Sequence, residues 1–140
     1  MTPPIKLYRL DGKIRSALFF EPVYGTNIFF TWGCSLDQLK KFQRARFQAA
    51  TPCDDVTSLG LCTEFVNDKH GTHCISVYHK ESRLKRDAVY HEALHAAFYV
   101  LGFRGVKVDP NNHESLTYLQ GFIAEKCYEA FQKAKTHKCR

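Results

Sequence analysis

His91, Glu92 and His95 stand in the register His-Glu-Ala-Leu-His, within a stretch that reads as helix. Side chains four apart on a helix share one face about one turn apart. Both imidazoles can therefore reach one tetrahedral ion while Glu92 points beside them at the water that ion would hold. The chemistry this implies is hydrolysis by a metal-activated water, with a carboxylate as general base. A blander arrangement competes with it, in which the histidines hydrogen-bond locally and Glu92 pairs with a neighbouring lysine. The motif lies where the helix changes from charged to apolar, which predicts at least partial desolvation of both imidazoles and of Glu92, a cost that a bound cation would offset.

A catalytic zinc needs a third protein ligand and an open fourth position. Glu114 is a candidate because the eighteen residues between His95 and Glu114 hold the end of one helix, a Gly-centred turn and a short polar loop. That is enough chain to bring the start of a last helix back against the first.

The run Asn112-His113-Glu114-Ser115-Leu116-Thr117-Tyr118-Leu119, placed after HExxH, resembles the second motif of the gluzincin metallopeptidases. More closely, a strand, the helix with His-Glu-Ala-Leu-His-Ala, a Gly turn and ExxxYLxG together resemble short metallopeptidase-like proteins encoded by bacteriophages. The resemblance covers roughly Cys74 to Phe131 and is weak before Cys74. It implies a zinc peptidase with His91, His95 and Glu114 as Zn2+ ligands and Glu92 as general base. Metzincin geometry is excluded, since it needs glycine at the position of Phe98 and histidine at that of Leu101. Glu125 and His113 are less favoured ligands: Glu125 lies three turns from Glu114, and His113 points off to one side.

For the developing negative charge of the reaction, Tyr118, one turn beyond Glu114, is the first candidate donor, with His113 and Tyr99 behind it. Tyr118 reads equally well as a core or rim aromatic. Gly121 marks a place where two helices approach closely, opposite Ala93 or Ala96. The strand His73 to His79 resembles the edge strand on which zincins lay extended substrate, which implies a peptide or protein substrate. Its histidines read as solvent-facing and are given no catalytic role.

Several elements must position these groups. Ile14 to Phe20 and Asn27 to Thr31 read as strands of a hairpin. Ser35 caps a helix through Leu36, Leu39, Phe42 and Phe47, and Thr51 to Gly60 reads as a loop. Leu61 to Val66 and His73 to His79 form a second hairpin across a turn at Asn67 to Gly71. Ser82 is the expected N-cap of a helix from Arg83 to Leu101 that stops at Gly102. Leu116, Leu119, Ile123, Cys127 and Ala130 mark the apolar stripe of the last helix. The expected fold is α+β and zincin-like in minimal form: a small antiparallel or mixed sheet against an active-site helix, a third-ligand helix and one N-terminal helix.

A length of 140 residues with 44% hydrophobic content predicts a single zincin-like domain spanning the whole chain. The start Met1-Thr2-Pro3-Pro4 carries no export pattern, and no apolar run reaches the length of a membrane span. The expectation is a cytoplasmic protein with no membrane contact, acting in the host-cell cytoplasm if phage-encoded. On that footing the six cysteines read as reduced thiols, several packed as small hydrophobes, and none of them shows CxxC spacing. The net charge of +6 gathers at Lys40, Lys41, Arg44 and Arg46 and at Lys133, Lys135, Lys138 and Arg140. Nucleic-acid binding is disfavoured, because no recognition motif accompanies that charge. Two alternatives to a peptidase stand: a catalytically silent zincin-fold protein that targets a host factor, and a basic nucleic-acid-binding protein. The sequence leaves the oligomeric state open.

Overall fold

The computed structural model of the chain describes residues 4–52, 58–67 and 72–137. Most of the turn read at 67–71, half of the loop read at 51–60 and the end of the basic tail lie outside the described residues. The described elements are β1 (Lys6–Leu10), β2 (Lys13–Glu21), β3 (Thr26–Trp32), α1 (Leu36–Phe47), β4 (Gly60–Asn67), β5 (Thr72–His79), α2 (Arg86–Phe103) and α3 (Glu114–Thr136). The strands form a mixed sheet in the order β1-β2-β3-β5-β4, with β3 and β5 parallel and the other neighbours antiparallel. The fold is thus α+β.

Alternation along the strands divides the molecule into two cores. Ala17, Phe19, Ile28, Phe30, Trp32, Ile75 and Val77 turn to one face, where they meet the buried residues of α2 and α3. Phe29, Cys74 and Tyr78 turn to the other, where Leu39 and Phe42 of α1 cover them. β3 is buried on both faces, which is why its sequence runs Ile-Phe-Phe with little polar interruption. Phe30 stacks on Trp32, and Trp32 meets Phe131 of α3 edge-on, tying the far end of α3 to the sheet.

The β2–β3 hairpin forms as the sequence predicts. β1 has no counterpart in that reading, although its signal is present: Asp11 (φ 51°) and Gly12 (φ 82°) make a two-residue turn of the kind that suits the twist of a hairpin. Ser35 caps α1 as expected, accepting from the Gln38 amide while Gln38 Oε1 accepts from the Ser35 amide, a reciprocal capping box.

Both ends of α2 differ from the sequence expectation. The N-cap is Lys85 rather than Ser82, and its amide donates to Nε2 of buried His79 at 3.1 Å. His79 Nδ1 lies 2.9 Å from the Glu81 carbonyl, to which it donates, so one neutral imidazole orders the whole turn into the helix. At the other end Gly102 is helical. The left-handed residue is Gly105 (φ 71°), whose amide reaches the Gly102 carbonyl while the Val106 amide reaches that of Leu101. That pair of bonds is a Schellman closure.

α3 buries Leu119, Ile123, Cys127 and Ala130 along the expected stripe, together with Ala124 and Phe131. Gly121 is not a close helix contact, because a Cβ added there meets nothing within 4 Å. The small residues shared between the helices are instead Ala93, Ala96 and Ala97 of α2 with Ala124 and Cys127 of α3, all in one core.

Candidate metal centre

α2 packs its alanine-rich side on α3 and lies over β4 and β5, which leaves one stripe of its surface uncovered. His91, His95 and the exposed Phe98 occupy that stripe, at the helical spacing of one face. The Nε2 atoms of His91 and His95 stand 3.1 Å apart with their rings tilted at 75°. Two imidazole nitrogens on a tetrahedral zinc, each at 2.0–2.1 Å, are separated by about 3.3 Å. The pair is therefore close to the spacing one ion needs.

The desolvation predicted for all three motif residues falls on one of them. His91 and His95 are exposed, the His91 side chain to 67%, whereas Glu92 is buried with only 6% of its surface accessible. The reason is rotational. Glu92 lies about 100° around the helix from His91, which turns it from the open stripe toward the sheet. Burial raises its carboxyl pKa above the ordinary glutamate range, while the charges of His91 and His95 pull it back down. Its Oε1 is 3.9 Å from His91 Nε2, and no described residue hydrogen-bonds it.

The sheet residues that face α2 from β4 are Gly60, Cys62 and Glu64. Burial first, and then the charge of Glu92, raises the Cys62 thiol pKa. Tyr99, one turn beyond His95, is raised by burial and by the charges of Cys62, Glu64 and Glu92, so it belongs to the same neighbourhood. β4, not β5, is the edge strand: β5 lies between β3 and β4, which corrects the reading of His73 to His79 as the edge. The histidines of β5 are buried rather than solvent-facing. His73 stacks on Phe103 at 3.8 Å between ring centres and pairs with Glu64 at 3.0 Å, and His79 orders the start of α2.

Glu114 and Tyr118 stand elsewhere. Glu114 is exposed at the first position of α3. The Tyr118 hydroxyl donates to Oε1 of buried Glu21 at the end of β2, at 3.1 Å, whereas Gln120 reaches across to the Tyr90 carbonyl of α2. Tyr118 and Gln120 are about 200° apart around the helix, so Glu114, one turn before Tyr118, lies nearer the side turned to β2 than the side turned to α2. His113 and Glu125 are both exposed. Among the described residues no three His, Cys, Asp or Glu side chains converge on one metal position. The structure brings together His91, Glu92 and His95, and leaves Glu114 and Tyr118 apart from them.

No protein-family model matches the chain, and no curated protein and no solved structure matches it.

Proposed function

We propose that this chain is a small zinc-dependent peptidase of gluzincin type, with His91, His95 and Glu114 as zinc ligands and Glu92 as general base. The observation that carries the reading is the exposed Nε2 pair at 3.1 Å beside a carboxylate that the fold keeps out of water. Glu114 enters on the resemblance of its motif alone, since the described geometry holds it apart from the histidine pair. A zincin-like arrangement is supported by the antiparallel edge strand, β4, running under the helix that carries the motif.

Zinc held by these groups would polarise a substrate carbonyl and bring the pKa of a water toward neutrality. As ligands, His91 and His95 would each present a ring nitrogen from the same exposed helix face. Glu92 takes the proton of the attacking water on its carboxylate and delivers it to the leaving amine. Its raised pKa suits a group that must both accept and release a proton near neutral pH. β4 ends the sheet, and an edge strand can pair with an extended chain, which favours a peptide as substrate. If the chain is phage-encoded, as the resemblance implies, its place of action would be the cytoplasm of an infected cell.

One observation favours a second reading, a silent zincin-fold binding protein: Glu114 does not join the histidine pair among the described residues. Against it stands Glu92, since a site without chemistry has no use for a desolvated carboxylate beside two histidines. The test is to incubate the zinc-loaded protein with a tryptic peptide library from a bacterial proteome and to map new termini by mass spectrometry. Wild type is expected to cleave. Glu92→Gln is expected to keep its zinc and to lose about 10²- to 10⁴-fold in rate. Undiminished cleavage by Glu92→Gln contradicts the mechanism.

A further inference from the structure

Glu92 needs somewhere to sit when it turns toward the sheet, and β4 supplies the place by lacking a side chain. A Cβ built on Gly60 would stand 2.6 Å from Glu92 Cγ, 3.1 Å from Glu92 Oε1 and 3.0 Å from the backbone carbonyl oxygen of Tyr78 on β5. Carbon atoms do not approach so closely without displacement, since favourable contact begins at about 3.5 Å. Cys62 and Glu64, which follow Gly60 at strand spacing on the same face of β4, carry side chains, and position 60 does not.

We propose that Gly60 is the positioning residue for the general base: the missing Cβ at the start of β4 is the seat that holds the Glu92 carboxylate beside the His91–His95 pair. The proposal rests on the peptidase reading for its catalytic meaning and on geometry for the seat itself. Backbone conformation does not explain the glycine, because Gly60 is not in the left-handed region that the positive-φ glycines occupy. The strand cannot easily retreat. Gly60 is in register with His79, the Leu59 carbonyl accepts from the Lys80 amide at 2.7 Å, and the Ser58 hydroxyl donates to the Gly60 carbonyl at 2.8 Å. The helix cannot retreat either, since Val89, Ala93 and Ala96 bury the same turns of α2 in the core. A side chain at position 60 must therefore move the Glu92 side chain, and the open direction is outward, into solvent.

The ordinary effect of Gly→Ala at a conformation alanine can adopt is mild stabilisation through the unfolded chain. A seat predicts something different, namely lost catalysis in a protein that still folds and binds metal. The experiment compares wild type with Gly60→Ala in four readouts. These are zinc per chain, the thermal midpoint, kinetics on the peptide that wild type cleaves fastest from the tryptic library, and a crystal structure of the variant. Zinc content is expected to stay near wild type, and the midpoint to fall only slightly, through the close approach of the new Cβ to the Tyr78 carbonyl. A displacement of the base by about 1 Å or more is expected to lower kcat about 100-fold with KM little changed, and the crystal structure is expected to show the Glu92 carboxylate moved off the strand. Wild-type kcat in Gly60→Ala overturns the proposal. So does a crystal structure in which Glu92 still lies over residue 60, and so does a loss of zinc or midpoint that tracks the loss of activity. Failure of wild type to cleave any peptide of the library defeats the peptidase reading, while the crystal structure still decides the seat.

Discussion

The histidine pair and Glu92 divide their work by angle around one helix. His95 follows His91 by four positions, which brings their Nε2 atoms to 3.1 Å on the open face; Glu92 follows His91 directly, which turns the carboxylate into the protein. The placing of both histidines on one face of a helix follows from HExxH and was legible in the sequence. The burial of each residue was not, because it depends on what lies opposite. The imidazoles are exposed and face no described element, and Glu92 faces the one position of β4 without a Cβ. A glycine at the start of a strand can signal the close approach of another group, yet position 60 read as the end of a loop, so that signal passed unused. His79 shows the same limit from the other side. Its neutral ring replaces the Ser82 cap, and no periodicity in the sequence distinguishes a buried histidine that caps a turn from an exposed one on a strand.

The elements themselves were largely legible, because apolar periodicity is strong in β2, β3, α1 and α3. The two elements that went astray did so for local reasons. β1 has charged residues at Lys6 and Arg9 and lies at the edge of the sheet, so its pattern is thin. The end of α2 was drawn at the first glycine, Gly102, although the left-handed conformation sits three residues later at Gly105. This difference yields a sharp pair of outcomes. Gly105→Ala, forced into the left-handed region, is expected to cost about 1–2 kcal/mol in urea denaturation. Gly102→Ala, in a helix and with nothing within 4 Å of the added Cβ, is expected to gain about 0.5–1 kcal/mol. Equal effects at the two positions would contradict the Schellman closure at Gly105. The order of the strands was the least legible feature: the pairing of β3 with β5 joins residues some forty-seven apart, as at Asn27 and Cys74, and no local pattern encodes it.

The molecule as a whole is a five-stranded sheet with α1 on one face and the α2–α3 pair on the other. The described cysteines are distributed through its two cores as free thiols. Burial pushes Cys34 and Cys74 up to about 12 and raises Cys62 and Cys127 as well. Since the thiolate is the reactive form, a pKa near 12 leaves about one molecule in 10⁴ reactive at pH 8. Iodoacetamide at pH 8, read by peptide mapping, is expected to leave these four thiols unmodified in the folded chain and to alkylate all of them in urea. Rapid labelling of any of the four without denaturant would contradict the packing described. Among the described residues no helix is long and apolar enough to cross a membrane. The claim on which the rest depends is that one zinc ion joins the α2 histidine pair to Glu114 of α3. The most direct measurement is zinc per chain by plasma mass spectrometry, after zinc loading and dialysis, for wild type, His95→Ala and Glu114→Ala. One zinc per wild-type chain, lost in both variants, is the predicted result. Zinc retained in Glu114→Ala would remove Glu114 from the site, and no zinc in wild type would contradict the metal centre altogether.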